Sequence, residues 1–143
     1  YLRDIHGQEK GAVPPTDLTT EKQNGDFVRS QILAGTVSAC HDVSDGGLLV
    51  AIAEMAMAGK IGATLESDTT NPAGFWFGED QSRYVVSTSE PEKLLSAAAI
   101  DGIHIQKIGV TGGNSLTING QSISVGNLID INESWLPDYM DGK

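Results

Sequence analysis

Asp42 and Asp45 stand three positions apart in the run His41-Asp42-Val43-Ser44-Asp45-Gly46-Gly47-Leu48, with a hydroxyl between them and two glycines directly behind. Carboxylate oxygens are hard ligands, and Mg²⁺ takes one or two of them together with waters and substrate phosphates. Asp42 is the candidate metal ligand. Glycines let a phosphate approach the main chain, and successive N–H groups at a helix start attract an anion. Asp45, Gly46 and Gly47 are therefore candidate ligand-binding positions. A purely architectural account fits the same residues: Asp45 caps the next helix and the glycines only allow a tight turn. Asp45 would also repel the phosphate that the glycines admit. On the residues alone both accounts stay open.

A second cluster is Glu79-Asp80-Gln81 with Arg83, preceded by Gly78 and the aromatic run Phe75-Trp76-Phe77. On a strand, Glu79, Gln81 and Arg83 share one face and Asp80 takes the other. Such a row can hold the hydroxyls and amides of a polar ligand. It can equally be a strand edge with a surface ion pair worth under about 1 kcal/mol. Glu54, inside an otherwise apolar helix, either reaches a narrow solvated strip or is buried against a partner, for which Arg83 is the candidate. Neither His6 nor His104 is directly flanked by an acidic or nucleophilic residue, and His41 reads as orienting the turn. No P-loop, GxGxxG, GxSxG or HExxH pattern is present.

The surrounding elements must bring these residues together. Residues 7–16, with Gly7, Gly11 and Pro14-Pro15, read as a linker or wrapping arm. A helix then starts with Thr16 or Asp17 as N-cap, carries Leu18, Val28 and Ile32 inward, and ends at Gly35. Gly25 weakens its middle by about 1 kcal/mol relative to alanine. Residues 36–41 form a strand in which Cys40 is an inert core thiol. A helix over 47–58 is apolar nearly all round and should be largely buried.

Residues 62–65 form a short strand, followed by a polar loop to Pro72, and residues 83–88 form a further strand. Ser89, Pro91 and Glu92 predict a helix over 90–100 opened by a capping box and ended by Gly102. Residues 104–110 predict another strand. Asn119-Gly120 between two alternating segments is the signature of a hairpin with a type I′ turn. A last helix covers 126–131, ahead of a tail at 135–140. The fold class is α+β, a layered α/β/α sandwich with a mixed sheet.

The length of 143 residues fits a single domain. A formal charge of −10, from 19 acidic and 9 basic residues, leaves no basic stripe for a nucleic-acid backbone and sets the chain against anionic lipid. Neither nucleic acid nor membrane is expected as a partner. Cys40 is the single cysteine, so no intrachain disulfide can form and a cytoplasmic setting is expected. The apolar run 48–58 falls short of the ~20 residues of a membrane span, and no signal-peptide pattern opens the chain. The start at Tyr1, in mid-pattern, reads as a piece of something longer.

The 41–48 run, Ala53-Glu54-Met55-Ala56, and Phe77-Gly78-Glu79-Asp80-Gln81-Ser82-Arg83 together resemble one family, formylglycinamidine ribonucleotide synthetase of de novo purine synthesis. Pro14-Pro15-Thr16-Asp17-Leu18 and Trp135-Leu136-Pro137-Asp138-Tyr139-Met140 resemble its bacterial form, which works with a separate glutaminase and a small third subunit. The resemblance implies a C-terminal α/β domain at 17–143 behind a leading arm at 1–16, folded like the C-terminal domain of aminoimidazole ribonucleotide synthetase-related proteins. It implies a ligase using ATP and Mg²⁺ to activate the amide oxygen of formylglycinamide ribonucleotide, so that ammonia displaces phosphate. The family's catalytic histidine and main ATP ligands lie in other domains. This piece is therefore expected to carry no catalytic residue, to hold no cofactor by itself and to be inactive alone. Its expected partners are the remaining domains of the same chain, the glutaminase and the small subunit.

The family's first half has a Mg²⁺-binding Asp-Leu-Gly turn and a substrate-touching Glu-Ser-Gln run, which Asp42 and Glu79-Asp80-Gln81 match in the pseudo-repeat. Ser44-Asp45 and Asp80 depart from that pattern, which implies a structural corner. Two other identities are weighed: another ATP-using member of the superfamily (aminoimidazole ribonucleotide synthetase or a hydrogenase-maturation protein) and a stand-alone interaction module.

Overall fold

In the computed structural model, which describes residues 2–11 and 14–142, the chain forms α1 (Leu2–His6), α2 (Leu18–Leu33), β1 (Ala39–Asp42), α3 (Gly47–Gly59), β2 (Ala63–Leu65), α4 (Pro72–Phe77), β3 (Tyr84–Ser87), α5 (Pro91–Asp101), β4 (Gly109–Thr111), β5 (Ser115–Ile118), β6 (Gln121–Ser124) and α6 (Val125–Met140). Tyr1 and part of the expected linker, Ala12 and Val13, lie outside the described residues. Contacts divide the chain into one unit of Tyr1–Ile52 with Thr69–Lys107 and another of Ala53–Asp68 with Ile108–Lys143.

In the first unit Asp17 opens α2 as its composition predicts. Its Oδ1 accepts from the N–H groups of Thr19 and Thr20 at 2.9 and 3.2 Å, and its Oδ2 from the Thr20 hydroxyl at 2.9 Å. Those bonds, the hydroxyl's foremost, hold the Asp17 carboxyl below the usual range. The inward face of α2 differs from expectation. Leu18 is 76% exposed and Ile32 47%, while Phe27 is buried. Phe27 packs with Val37, Leu94 and Ala98, and Val28, Val86, Ala97, Ile103 and Ile105 close around them. A side chain that large fixes which stripe of a short helix faces the core. Gly25 leaves room for the Tyr84 hydroxyl, 3.3 Å from where a Cβ would stand.

Strand β1 pairs antiparallel with β3, from Ala39 opposite Ser87 to Asp42 opposite Tyr84. It begins at Ala39, three residues later than predicted. The helix over 91–101 forms and ends at Gly102 in the left-handed region, but the predicted capping box does not. Glu90 holds the N-cap position without a side-chain bond, and the Thr88 hydroxyl oxygen takes the Glu90 N–H at 2.9 Å.

The second unit holds a mixed sheet of order β4-β2-β5-β6 in which only β2 and β5 run parallel. The Asn119-Gly120 turn forms as predicted, with φ of 47° and 81° and Ile118 opposite Gln121. Strand β4 covers 109–111 where 104–110 was predicted, because Ile103 and Ile105 are spent on the Phe27 core instead of on a ladder. The predicted helix at 126–131 runs on to Met140 through the supposed tail. Ser124 caps it, its hydroxyl oxygen accepting from the Asn127 N–H at 3.0 Å. Ala56, Ala63, Leu65, Leu116 and Val125 supply buried apolar surface of this unit.

Helix α3 is not covered all round. Val50, Glu54 and Ala58, four residues apart, form one exposed strip, so Glu54 takes the solvated of its two alternatives. No helix among the described residues is long and apolar enough to cross a membrane.

Phe27→Ala is expected to cost about 3–5 kcal/mol in urea unfolding, whereas Leu18→Ala stays within about 0.5 kcal/mol. Equal losses would place the core stripe of α2 wrongly.

Candidate functional site

The β1–β3 ladder delivers both clusters to one end of the first unit. Past the last pair, the Val43 N–H donates to the Arg83 carbonyl at 2.9 Å, so the turn before α3 and the loop before β3 leave the ladder side by side. The Gly47 N–H closes a tight turn onto the Ser44 carbonyl at 3.0 Å. Gly46 and Gly47 have φ of +82° and +76°, a region costly for any residue with a Cβ. At Gly47 a Cβ would stand 2.6 Å from the Phe77 carbonyl carbon and 2.9 Å from the Gly78 oxygen. Main chain here lies against main chain.

The two loops are then tied by a side chain. Glu79 Oε1 accepts the Gly46 N–H at 2.9 Å. That amide is the anion-seeking group predicted to face a phosphate, and the protein's own carboxylate takes it. Asp45 is exposed and stands two residues before α3, so Gly46 and not Asp45 occupies the position directly ahead of the helix. Asp42 is exposed at the end of β1, its Oδ1 3.5 Å from His41 Nδ1, and the same ring nitrogen lies 2.6 Å from the Asp42 carbonyl oxygen. His41 thus contacts the residue that leads into the turn.

The strand predicted over 83–88 forms as β3, one residue shorter at each end. Strand β3 starts at Tyr84, and the stretch before it is a turn in which Ser82 has φ of +67°. The alternation of faces therefore does not apply. Arg83 instead folds back on its own loop. Its Nη1 donates to the Gly78 carbonyl at 3.3 Å and to Asp80 Oδ2 at 3.1 Å, and its Nη2 to the Phe75 carbonyl at 3.2 Å. The guanidinium carbon also lies 5.9 Å from the Phe75 ring centre. Asp80, placed on the opposite face by the strand pattern, is the partner of Arg83. Gln81 is exposed at the tip.

Sequence reading missed what holds this corner. Asn71 caps α4, its Oδ1 accepting from the Gly74 N–H at 3.1 Å, and the Asn-Pro pair 71–72 was the available signal. The helix buries Trp76, which meets Phe75 edge to face at 4.9 Å. Asn24 Nδ2 donates to the Ser82 carbonyl at 2.8 Å, and the Tyr84 hydroxyl donates to Glu21 Oε1 at 2.9 Å, the bond that chiefly pushes the Tyr84 phenol up. Neither long-range bond has a local sequence signature.

Cys40 corrects another expectation: it is exposed, not a core thiol. Residual desolvation first, and the negative charge of Asp42 second, push its thiol up.

Asp42 brings one carboxylate, Glu79 is engaged with Gly46, and no group of three or more His, Cys, Asp or Glu among the described residues is placed to hold a metal. Glu79 and Asp80 are paired within the corner, while Asp42, Asp45 and Gln81 are exposed.

Fold and corner together define an α+β domain with a mixed sheet and a self-closed glycine turn. Residues 1–119 match the family "AIR synthase related protein, C-terminal domain", and the chain belongs to that family. It is 57% identical over 145 residues to the phosphoribosylformylglycinamidine synthase subunit PurL of Methylocella silvestris, covering 98% of this chain and 20% of that protein. It is 53% identical to the same subunit of a Rhodopseudomonas palustris strain, over 100% of this chain and 20% of that protein. The chain thus spans about a fifth of the length of these curated relatives. Among solved structures, Thermotoga maritima PurL complexed with FGAR matches over 87% of this chain and 24% of that one, with a TM-score of 0.70 at 18% identity. At that identity the likeness is one of fold.

Gly47→Ala is expected to cost on the order of 2–4 kcal/mol, from strain and backbone collision together; a thermal scan showing an unchanged midpoint contradicts the contact with Phe77. Cys40 should alkylate more slowly with iodoacetamide at neutral pH than an unperturbed thiol, and Asp42→Asn should speed it modestly. A rate above that of a free cysteine contradicts the assigned direction.

Proposed function

We propose that the chain is the C-terminal domain of formylglycinamidine ribonucleotide synthetase, with 1–16 as leading arm and 17–143 as the domain. The whole enzyme converts formylglycinamide ribonucleotide and glutamine-derived ammonia to formylglycinamidine ribonucleotide in the cytoplasm, at the expense of ATP and with Mg²⁺. A glutaminase and a small third subunit are its partners. The observation that carries this reading is the 57% identity across 98% of the chain to a subunit of that name. Solved structures named as PurL with ATP and as PurLQS, similar in fold, fit the use of ATP and of further subunits.

Within that enzyme the domain supports the site without being one. The acidic corner keeps the outline of a phosphate turn, but its amide is already satisfied by Glu79 at 2.9 Å and its guanidinium is spent on the Gly78 and Phe75 carbonyls. Displacing Glu79 would free a carboxylate beside the incoming anion, so a phosphate gains little there. What the residues do is join the end of α4, the start of α3 and the β1–β3 ladder into one rigid piece.

The full-length enzyme with its glutaminase tests both parts. Formation of formylglycinamidine ribonucleotide from ATP, glutamine and formylglycinamide ribonucleotide is expected; its absence overturns the assignment. With Asp42→Ala and Glu79→Ala combined, KM for ATP and for the ribonucleotide should stay within about twofold while the unfolding midpoint falls. A KM rise of about tenfold at unchanged stability makes the corner a binding site after all.

A further inference from the structure

Helix α6 carries its apolar face well past the sheet that uses it. Val125 is buried and Leu128 and Ile129 are half-buried, yet the same side of the helix continues through Ile131, Trp135, Leu136, Tyr139 and Met140, exposed by 66%, 65%, 57%, 68% and 76%. At 3.6 residues per turn these side chains fall within about half of the circumference. Trp135 and Tyr139 are stacked four residues apart, 5.5 Å between ring centres and 9° between planes, which presents one aromatic slab. Glu133 and Asp138 flank the two sides of the face, and the helix contains no lysine or arginine. The family match ends at residue 119, while the similarity to the Methylocella silvestris relative runs through 98% of the chain.

We propose that residues 131–140 are a docking helix, received by an apolar groove with a lysine- or arginine-lined rim on another domain of the same longer polypeptide. This rests on the reading of the chain as one domain of that polypeptide, since the relatives matched are only 20% covered by it. Charge selects the rim. An acidic-flanked face on a chain of net charge −10 is repelled by a second copy of itself and attracted by a basic edge.

Area selects the source. Two aromatics offering ~150–250 Å² each when whole, scaled by their exposure and joined by three aliphatic side chains, give on the order of 500–600 Å². That is below the ~800 Å² per partner of a stable complex between separate proteins. It suits an interface between domains of one chain, where the linker supplies the effective concentration. Trp, Tyr and Met are also the side chains enriched where such faces are buried.

Hydrogen exchange and carbodiimide coupling on the full-length polypeptide test this. Amides of 131–140 are expected to exchange at least about tenfold more slowly in the native protein than in a Trp135→Ala, Tyr139→Ala variant. Alanine favours the helix, so the loss of protection reports undocking and not melting. Glu133→Lys should raise exchange in the same segment, and native Glu133 should couple to a lysine outside residues 1–143 of the same chain. Coupling only to a second copy or to a separate subunit overturns the proposal, as does exchange indifferent to all three substitutions. An intact mass no greater than this chain's would instead remove the functional reading itself, and with it the groove.

Discussion

The backbone of Gly47 lies against the backbone of Phe77 and Gly78 so closely that no side chain fits between them. That approach fixes where α3 starts relative to where α4 stops. The rest of the corner follows from it. Once the two main chains touch, the Gly46 amide points at the loop after α4, and Glu79 is the group that reaches it. The same loop, held tight, puts the Gly78 and Phe75 carbonyls within reach of Arg83. A carboxylate on an amide and a guanidinium on carbonyls each satisfy groups that a sharp turn would otherwise leave bare.

What the sequence made legible were features with short-range causes. The Asn119-Gly120 turn, the Asp17 cap and the Gly102 stop depend on residues a few positions apart, and each formed where composition placed it. The aromatic run at 75–77 lies in α4, whose start Asn71 and Pro72 mark. Failures share a long-range cause. Ile103 and Ile105 alternate as a strand would, yet they fill the Phe27 core and meet no ladder partner. Pro137 reads as a terminator of a helix, but in α6 it costs a single N–H bond, and the Asp141 N–H still reaches the Pro137 carbonyl at 2.9 Å.

The candidate site was legible in its membership but not in its meaning. Asp42, Gly46, Gly47, Glu79, Asp80 and Arg83 do gather at one end of the β1–β3 ladder, because antiparallel pairing carries both loops to that end. Their types suggested ligand chemistry, since a glycine turn with carboxylates nearby is how proteins meet metals and phosphates. Glu79, Asp80 and Arg83 are bonded within the corner itself. Spacing alone could not foresee this, because the decisive bond joins residues 33 positions apart. Helix α6 is the converse case, a regular element whose apolar face is only partly used by its own sheet.

The central claim is that the glycine turn is filled by Glu79 and serves the fold. A crystal structure of the full-length polypeptide grown with Mg²⁺ and ATP tests it most directly. The Glu79 carboxylate should still accept the Gly46 N–H, with nucleotide bound only in other domains. Phosphate or cation density against Gly46 and Gly47, with Glu79 swung aside, contradicts the account.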